Sequence, residues 1–490
     1  MRDTIPAMDT SQHASGLDTG ETIAAIATPP GVGGVGIVRV SGPDAFAIGR
    51  RLFQPASERA EEPVSHLLTY GSIIDPATGE PLDDVLVAFL RAPHSYTGED
   101  TVEINAHGGP LVLQRILTAA LSLGARSARP GEMTLRAFLN GRIDLAQAEA
   151  VLALINAETD AGRRLAYRQL RGEISARVHS AREAALNALA RIEAHIDFPD
   201  EEVPPPDPVE LARFVAEAQK TVDELLAGSA RGRVLAQGAR VAILGRPNVG
   251  KSSLLNALLG DERAIVTSIA GTTRDTVEER AILGGVAVHL VDTAGLTETD
   301  DPIERIGVQR SRSAAREADL LLLVIDSSAG VTRADRDVAE ELRALRAEDA
   351  DDGTESLDAT PVLVVANKAD LHSTLRTGEV DHLWPGAPIV SVSCMTHKGL
   401  EELAEAVGRL ALGGELHPAD LAVSSARHQD ALRRAGEYLR AAQQTLGDKL
   451  PLDFVSTDLR AALAALGEIT GEAATDDLLD HIFAEFCIGK

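Results

Sequence analysis

The sequence predicts a multidomain protein of mixed α/β and α class: an amino-terminal α+β domain, a helical domain, and a parallel-sheet α/β domain inserted into the helical one. Three observations predict it. Short β-like runs divided by Gly, Pro and Asp fill the amino-terminal quarter. Segments rich in Ala, Leu, Arg and Glu, with apolar residues three and four apart, stand on both sides of the centre. Between them strands alternate with helices, the pattern of a parallel sheet with crossovers. A chain of 490 residues is also too long for one hydrophobic core.

Taken in order, residues 1–20 are polar, carry acids and lack an apolar stretch, which predicts a disordered leader and no signal peptide. Residues 21–140 form the α+β domain, with "TIAAIAT", "GIVRV" and "VLVAFL" as strands. The run "GVGGVG", Gly31 to Gly36, matches a dinucleotide fingerprint in its letters. That fingerprint needs a helix opening at the glycines, and strand-like "IVRV" follows instead, so a glycine-rich turn between two strands is expected.

Residues 141–237 are the first part of the helical domain, read from "DLAQAEAVLALI" and "ALNALARIEAHI", broken by "FPDEEVPPPDP" and resumed to about Ala236. Residues 238–412 are the α/β domain, in which "RAEDADDGTESLDATP" (Arg346 to Pro361) reads as an acidic surface loop. Residues 413–490, the second part of the helical domain, return to helix until the end of the chain, which closes on "FCIGK". Insertion of one domain into another is tolerated where the ends of the insert lie close together.

Composition excludes several classes. A net charge of −27 argues against coating nucleic acid by bulk electrostatics, so any RNA contact has to be local or supplied by a partner. No run approaches the roughly 18 apolar residues of a membrane span. Cys394 and Cys487 are far apart and lack metal-ligand neighbours, against a disulfide framework or a zinc module; a cytoplasmic protein is expected. Of only six lysines, Lys251, Lys368 and Lys490 fall inside motifs.

"GRPNVGKS", Gly245 to Ser252, follows the apolar strand "RVAIL" and runs into the helical "SLLNALLG". In that context backbone N–H groups and a helix N-terminus cradle phosphates, Lys251 reaches the β and γ oxygens, and Ser252 reaches Mg²⁺. "DTAG", Asp292, Thr293, Ala294 and Gly295, follows the strand "VHLV" and puts a carboxylate near the metal's water shell. "NKAD", Asn367, Lys368, Ala369 and Asp370, follows "VLVVA". A carboxylate at Asp370 accepts from two adjacent N–H donors, which guanine has and adenine lacks. Together the three motifs predict a P-loop G domain that binds and hydrolyses GTP. Where many GTPases place a glutamine to orient water, this chain has Leu296, which cannot hydrogen-bond it.

The stretches "GRPNVGKSSLLNALLG", "TSIAGTTRDT", "DTAGLTETDDPIERIG" and "CIGK", with "ATPPGVGGVGIVRVSG", "SYTGEDTVEINAHGGP" and "RPGEMTLRAFLNGRIDLAQAEA", resemble the MnmE (TrmE) family of tRNA modification GTPases from about Glu21 to Lys490. The resemblance implies a Ras-like G domain and an amino-terminal domain that dimerises and binds a 5-formyl- or methylene-tetrahydrofolate. It implies a potassium ion in place of an arginine finger, held by Asn248, Thr267, Ile269 and Thr272, with Mg²⁺ on Ser252 and Thr273. It makes Glu304 the catalytic residue that positions water. The nucleotide contacts it implies run through Asn248, Val249, Gly250, Lys251, Ser252 and Ser253, through Thr267, Ser268, Ile269, Ala270, Gly271, Thr272 and Thr273, and through the DTAG and NKAD motifs. They end at Ser393, Cys394 and Met395, where the family usually has Ser-Ala-Lys.

Folate contacts map by the same resemblance onto Arg39, Glu103, Arg142 and Lys490, Arg142 standing where many members have Lys. Pterin, like guanine, shows an amino group beside a ring N–H, which suits a carboxylate at Glu103. Cys487 is expected to be a small buried thiol. The implied activity is addition of a carboxymethylaminomethyl or aminomethyl group at C5 of the wobble uridine (position 34) of certain tRNAs. The implied partners are a second copy of the chain and the flavoprotein MnmG in a heterotetramer, with tRNA gripped largely by that flavoprotein. The alternative is a ribosome-assembly GTPase switch of the same superfamily, which would be expected to carry an RNA-binding module such as KH. A membrane-linked dynamin-like GTPase would need a basic amphipathic helix, and none is seen.

Overall fold

The amino-terminal sheet has seven strands: β1 (Ile23–Ile26), β2 (Gly33–Ser41), β3 (Phe53–Pro55), β4 (Leu68–Ile74), β5 (Pro81–Leu90), β6 (Thr101–Gly108) and β7 (Arg126–Ser127). The computed structural model describes residues 20–57, 64–197, 205–261, 278–292, 311–351, 360–376, 378–414, 423–486 and 488–489. The strand order is β3-β4-β5-β6-β2-β1-β7, antiparallel except for the parallel pair β1 and β7.

Alternation along β6 shows why the sheet has two unlike faces: Val102, Ile104 and Ala106 are buried, whereas Glu103, Asn105 and His107 are not. The helices Ala45–Leu52 and Pro110–Ser122 cover the apolar face, placing Ile48, Leu52, Leu113 and Ile116 against Val38, Val40, Val102 and Ile104. The expected glycine turn is only partly a turn. Gly31 (φ 131°) lies in the connection, but Gly33 to Gly36 run inside β2, with an irregular register opposite Gly108.

The chain forms two compact units, one of Met1–Leu152, Gln169–Ala218 and Glu437–Lys490, the other of Ala153–Arg168 and Gln219–Gly436. In the first, the long helices Glu173–Asp197 and Leu452–Thr470 pack together. Their buried residues are mostly small or branched: Val178, Ala181, Ala185 and Ala188 on one, Val455, Leu459, Ala462 and Leu466 on the other. The helix Asp476–Ala484 packs Leu479, Ile482 and Phe483 on Leu135, Phe138, Leu145 and Ala148. Helix was expected to the end of the chain, yet it stops at Ala484, and Ile488 forms an antiparallel bridge with Pro130.

The second unit holds a six-stranded sheet of β8 (Ala239–Leu244), β9 (Glu278–Leu283), β10 (Val286–Asp292), β11 (Leu320–Asp326), β12 (Val362–Asn367) and β13 (Ile389–Ser391). Its order is β13-β12-β11-β8-β10-β9, parallel except for β9 against β10. β11 and β12 are buried at every residue, as strands covered on both faces must be. One face packs Val249, Leu254 and Leu258 with Leu403 and Val407; the other packs Val338, Leu342 and Leu345 with Leu321 and Leu323. This last contact corrects the acidic-loop reading. The helix Arg333–Asp351 is anchored by that apolar stripe and continues through Arg346 to Asp351, while 352–359 lie outside the described residues.

No helix among the described residues is long and apolar enough to cross a membrane.

Candidate functional site

Five parallel strands, β8 and β10 to β13, deliver their carboxy-terminal ends to one edge of the second unit's sheet, where open α/β sheets place ligands. β8 ends at Leu244 and hands over to the loop 245–250, which opens the helix Lys251–Asp261. Asn248 (φ 64°) and Gly250 (φ 96°) both adopt left-handed backbone there. Gly250 has a steric reason as well, since a Cβ at that position would collide with the side-chain amide of Asn367. Asp292 ends β10, in register with Ile243 of β8.

Asn367 ends β12 and is almost wholly buried. Its Nδ2 donates to the Val249 carbonyl at 2.9 Å, and its Oδ1 accepts from the Lys368 N–H at 2.8 Å and from Cys394 Sγ at 3.2 Å. One amide thus links the loop after β8, the loop after β12 and the loop after β13. Lys368, also left-handed (φ 63°), donates Nζ to the Asn248 carbonyl at 3.1 Å and pairs with Asp326 Oδ2 at 2.6 Å. Burial pushes the Asp326 carboxyl up, but bonds from Lys368 and from the hydroxyl and N–H of Ser328 outweigh it and hold it below the usual range. Ser393 donates Oγ–H to Asp370 Oδ1 at 2.6 Å and accepts from the Thr396 N–H, which fixes the carboxylate's orientation. Ala369 donates its N–H to the Val392 carbonyl at 3.0 Å.

Lys251 sends Nζ back to the carbonyls of Gly245 (2.8 Å) and Arg246 (3.2 Å), so its ammonium lies along the loop. Ser252 and Ser253 are exposed in the first turn of the helix, and Met395 is 83% exposed. Burial raises the Cys394 thiol and the Asp370 charge adds to it, against the bond to Asn367. Thr267, Ser268, Ile269, Ala270, Gly271, Thr272, Thr273, Thr293, Ala294, Gly295 and Glu304 lie outside the described residues, as do Cys487 and Lys490. Among the described residues no group of three or more His, Cys, Asp or Glu is placed to hold a metal. A cation here would depend on hydroxyl, carbonyl and phosphate oxygens, a donor set that suits Mg²⁺ and K⁺.

Sequence reasoning missed Asp326. Its signal is slight, an acid closing the apolar strand "LLLLVID", and only the fold brings it to Lys368.

The first unit holds the other predicted cluster. Arg39 and Glu103 are cross-strand partners on β2 and β6, and the Arg39 Nε and Nη2 both approach Glu103 Oε1 at 2.8 Å. The guanidinium lies 5.4 Å from the centre of the Tyr96 ring, and Nη1 donates to the Gly489 carbonyl at 3.3 Å. Arg142 donates Nε–H to the Ser95 carbonyl at 3.1 Å, one residue from Tyr96. A carboxylate, a guanidinium and an aromatic ring grouped beside the chain's last residues fit a flat heterocycle with adjacent N–H donors.

A family model described as "MnmE helical domain" matches residues 145–487, and one described as "GTP-binding protein TrmE N-terminus" matches 22–142. Curated proteins similar to the chain include the tRNA modification GTPase MnmE of Chloroflexus aurantiacus, 50% identical over 96% of this chain and 100% of that protein. Those of Roseiflexus sp. and Moorella thermoacetica are each 47% identical over 96% of this chain and 99% of theirs. Among solved structures, the G domain of the T. maritima FeoB iron transporter is 27% identical, covers 35% of this chain and 98% of that one, and gives a TM-score of 0.27.

Proposed function

Because the chain belongs to the MnmE family of tRNA modification GTPases, we propose that it is a potassium-dependent GTPase working with the flavoprotein MnmG. Together they add a carboxymethylaminomethyl group at C5 of the wobble uridine of certain tRNAs, using a tetrahydrofolate one-carbon unit. The GTPase of tRNA modification is the family's activity. Potassium, folate, the homodimer, the heterotetramer with MnmG and the cytoplasmic location are the finer reading. The observation that supports the GTP-binding part of this reading is the junction at Asn367, where one buried amide binds the loop bearing Asn248 to Lys251 and the segments bearing Asp370 and Ser393. Phosphate and base contacts are thereby built as one rigid edge.

Within that edge, the loop 245–250 with Lys251 receives the triphosphate, and Asp370, held by Ser393, accepts the guanine donors. Lys368 stays fixed by Asp326 and lies along the nucleotide. Ser252, with Thr273, would hold Mg²⁺, and Asn248, with Thr267, Ile269 and Thr272, would hold K⁺. Those ions would supply positive charge against oxygens whose charge grows during hydrolysis, a type of electrostatic term worth ~10³ or more in rate when an arginine finger supplies it. Glu304 takes the water-positioning role that Leu296 cannot fill. In the first unit, Glu103 and Arg39 would hold the pterin, with Arg142 and Lys490 completing the folate contacts. Net charge of −27 supports leaving most of the tRNA grip to the flavoprotein. The amino-terminal match over 22–142 supports this reading over a ribosome-assembly switch.

Mass spectrometry of tRNA nucleosides tests the whole reading: a strain lacking the gene should lose the modified wobble uridine, and its persistence would refute the proposal. Hydrolysis of GTP by the purified protein should rise strongly when K⁺ replaces Na⁺, and Glu304→Ala should abolish hydrolysis while GTP binding stays nearly intact.

A further inference from the structure

The loop 245–250 has a second buried tether, besides Asn367, that the sequence motifs do not reveal. Arg246 directs its guanidinium at Asp335, with Nε 3.2 Å from Oδ1 and 3.3 Å from Oδ2. Asp335 is 1% exposed and Arg246 19%, so the pair is largely shielded from solvent. Asp335 stands in the first turn of the helix Arg333–Asp351. Its Oδ2 also accepts from the Thr332 N–H (2.9 Å) and the Thr332 hydroxyl (2.6 Å), while Thr332 Oγ1 accepts from the Asp335 N–H (3.4 Å). Those reciprocal bonds are those of a capping box with Asp in the acidic position, and they lock the carboxylate's direction.

We propose that Asp335 is a positioning residue for GTP binding and hydrolysis, acting through Arg246 to set the course of the loop that receives the phosphates. The route is short. Lys251 Nζ is bonded to the carbonyl of Arg246 itself, so a displaced Arg246 moves the anchor of the ammonium that must meet the β and γ oxygens. The helix carrying Asp335 is in turn fixed by Val338, Leu342 and Leu345 against β11, which makes it a rigid base from which to hold a loop. A half-made buried pair would be worse than none, because the remaining charge loses its partner. Asp335 is thus required by Arg246, and Arg246 by Asp335.

The inference rests on residues 245–252 being the phosphate loop, and the experiment separates the two ideas. The full-length protein is tested with a fluorescent GTP analogue and in GTP turnover, using Asp335→Asn, which keeps an acceptor for Thr332, and Arg246→Met, which keeps length on the more exposed side. Each should weaken nucleotide affinity by about tenfold to a hundredfold, the scale of one charge-assisted hydrogen bond. The double variant should lose no more than the worse single one. Additive losses, or unchanged affinity in both single variants, would overturn the positioning role. So would a loss matched by a lower melting temperature of the nucleotide-free protein and absent from Arg246→Met. Lys251→Ala is the control: if it too leaves affinity unchanged, the phosphate-loop reading fails and not merely this inference.

Discussion

Asn367 Nδ2 lies 2.9 Å from the carbonyl oxygen of Val249, across 118 residues of sequence. The bond makes the ends of β8 and β12 a single edge, and Gly250 is the residue that leaves room for it. A substitution that fills this space should act on the nucleotide and hardly at all on the two cores that flank the sheet.

The base preference is the first consequence to test. Asp370 offers a carboxylate steered by Ser393 Oγ at 2.6 Å, suited to two adjacent N–H donors. Asp370→Asn replaces one acceptor with a donor, which opposes guanine's amino group and matches the carbonyl that xanthine carries there. GTP affinity should fall by about tenfold to a hundredfold, the size expected when hydrogen bonding to a charged acceptor is lost, and xanthosine triphosphate should gain. Competition between the two nucleotides for a fluorescent analogue measures it, and a variant that still prefers GTP would remove Asp370 from the base.

Acid should loosen the same edge in a defined window. The folded-state pKa of Asp326 is depressed, mainly because Lys368 and Ser328 overcome the upward push of burial. A depressed carboxyl stabilises the folded state above its unfolded value, about 3.9, and that contribution disappears as pH falls through the folded value. Melting temperatures of the native protein and of Asp326→Asn should therefore differ by a constant amount from pH 8 to pH 5. The gap should close below about pH 4. A gap that opened on the alkaline side would contradict the pairing.

Much of this site is written in local sequence, because a phosphate loop needs glycine and lysine at fixed spacing between a strand and a helix, and Gly245 to Ser252 carry that spacing outright. Asp326 and Asp335 are different. Each is one acid among 74 acidic residues, and its slight local signal, the end of an apolar strand for Asp326 and a Thr three residues earlier for Asp335, does not reveal its partner. Their partners, Lys368 and Arg246, are 42 and 89 residues away, so only the order of strands in the sheet gives them meaning. The helix through Arg346 to Asp351 was obscured for a related reason. Its polar composition reads as loop, whereas Val338, Leu342 and Leu345, further up the same helix, pay for its order through tertiary packing. In the first unit the alternation of β6 predicts a polar face, but the meeting of Arg39 with Gly489 depends on a tail that returns across 450 residues.

That return makes the tail a discriminating target. Gly489 accepts from Arg39 Nη1 at 3.3 Å, and its φ of 93° brings its backbone so close to Ile26 that a side chain would strike the carbonyl there. Ile488 bridges to Pro130 just before it. Removing residues 487–490 therefore takes away one acceptor of Arg39 and leaves Glu103 as its partner, while nothing in the sheet of β8 to β13 is altered. GTP turnover should stay within about twofold of the native rate, since the bonds that hold Asn367, Lys368 and Asp370 involve none of residues 487–490. Tetrahydrofolate binding, followed by titration calorimetry, should weaken by at least about tenfold, as expected when a charge-assisted hydrogen bond and a neighbouring lysine are both lost. Gly489→Ala asks the same question more gently, because it keeps Lys490 and displaces only the backbone. If the truncated protein bound folate as tightly as the native one, Arg39 and Glu103 would be a structural ion pair with no ligand to hold.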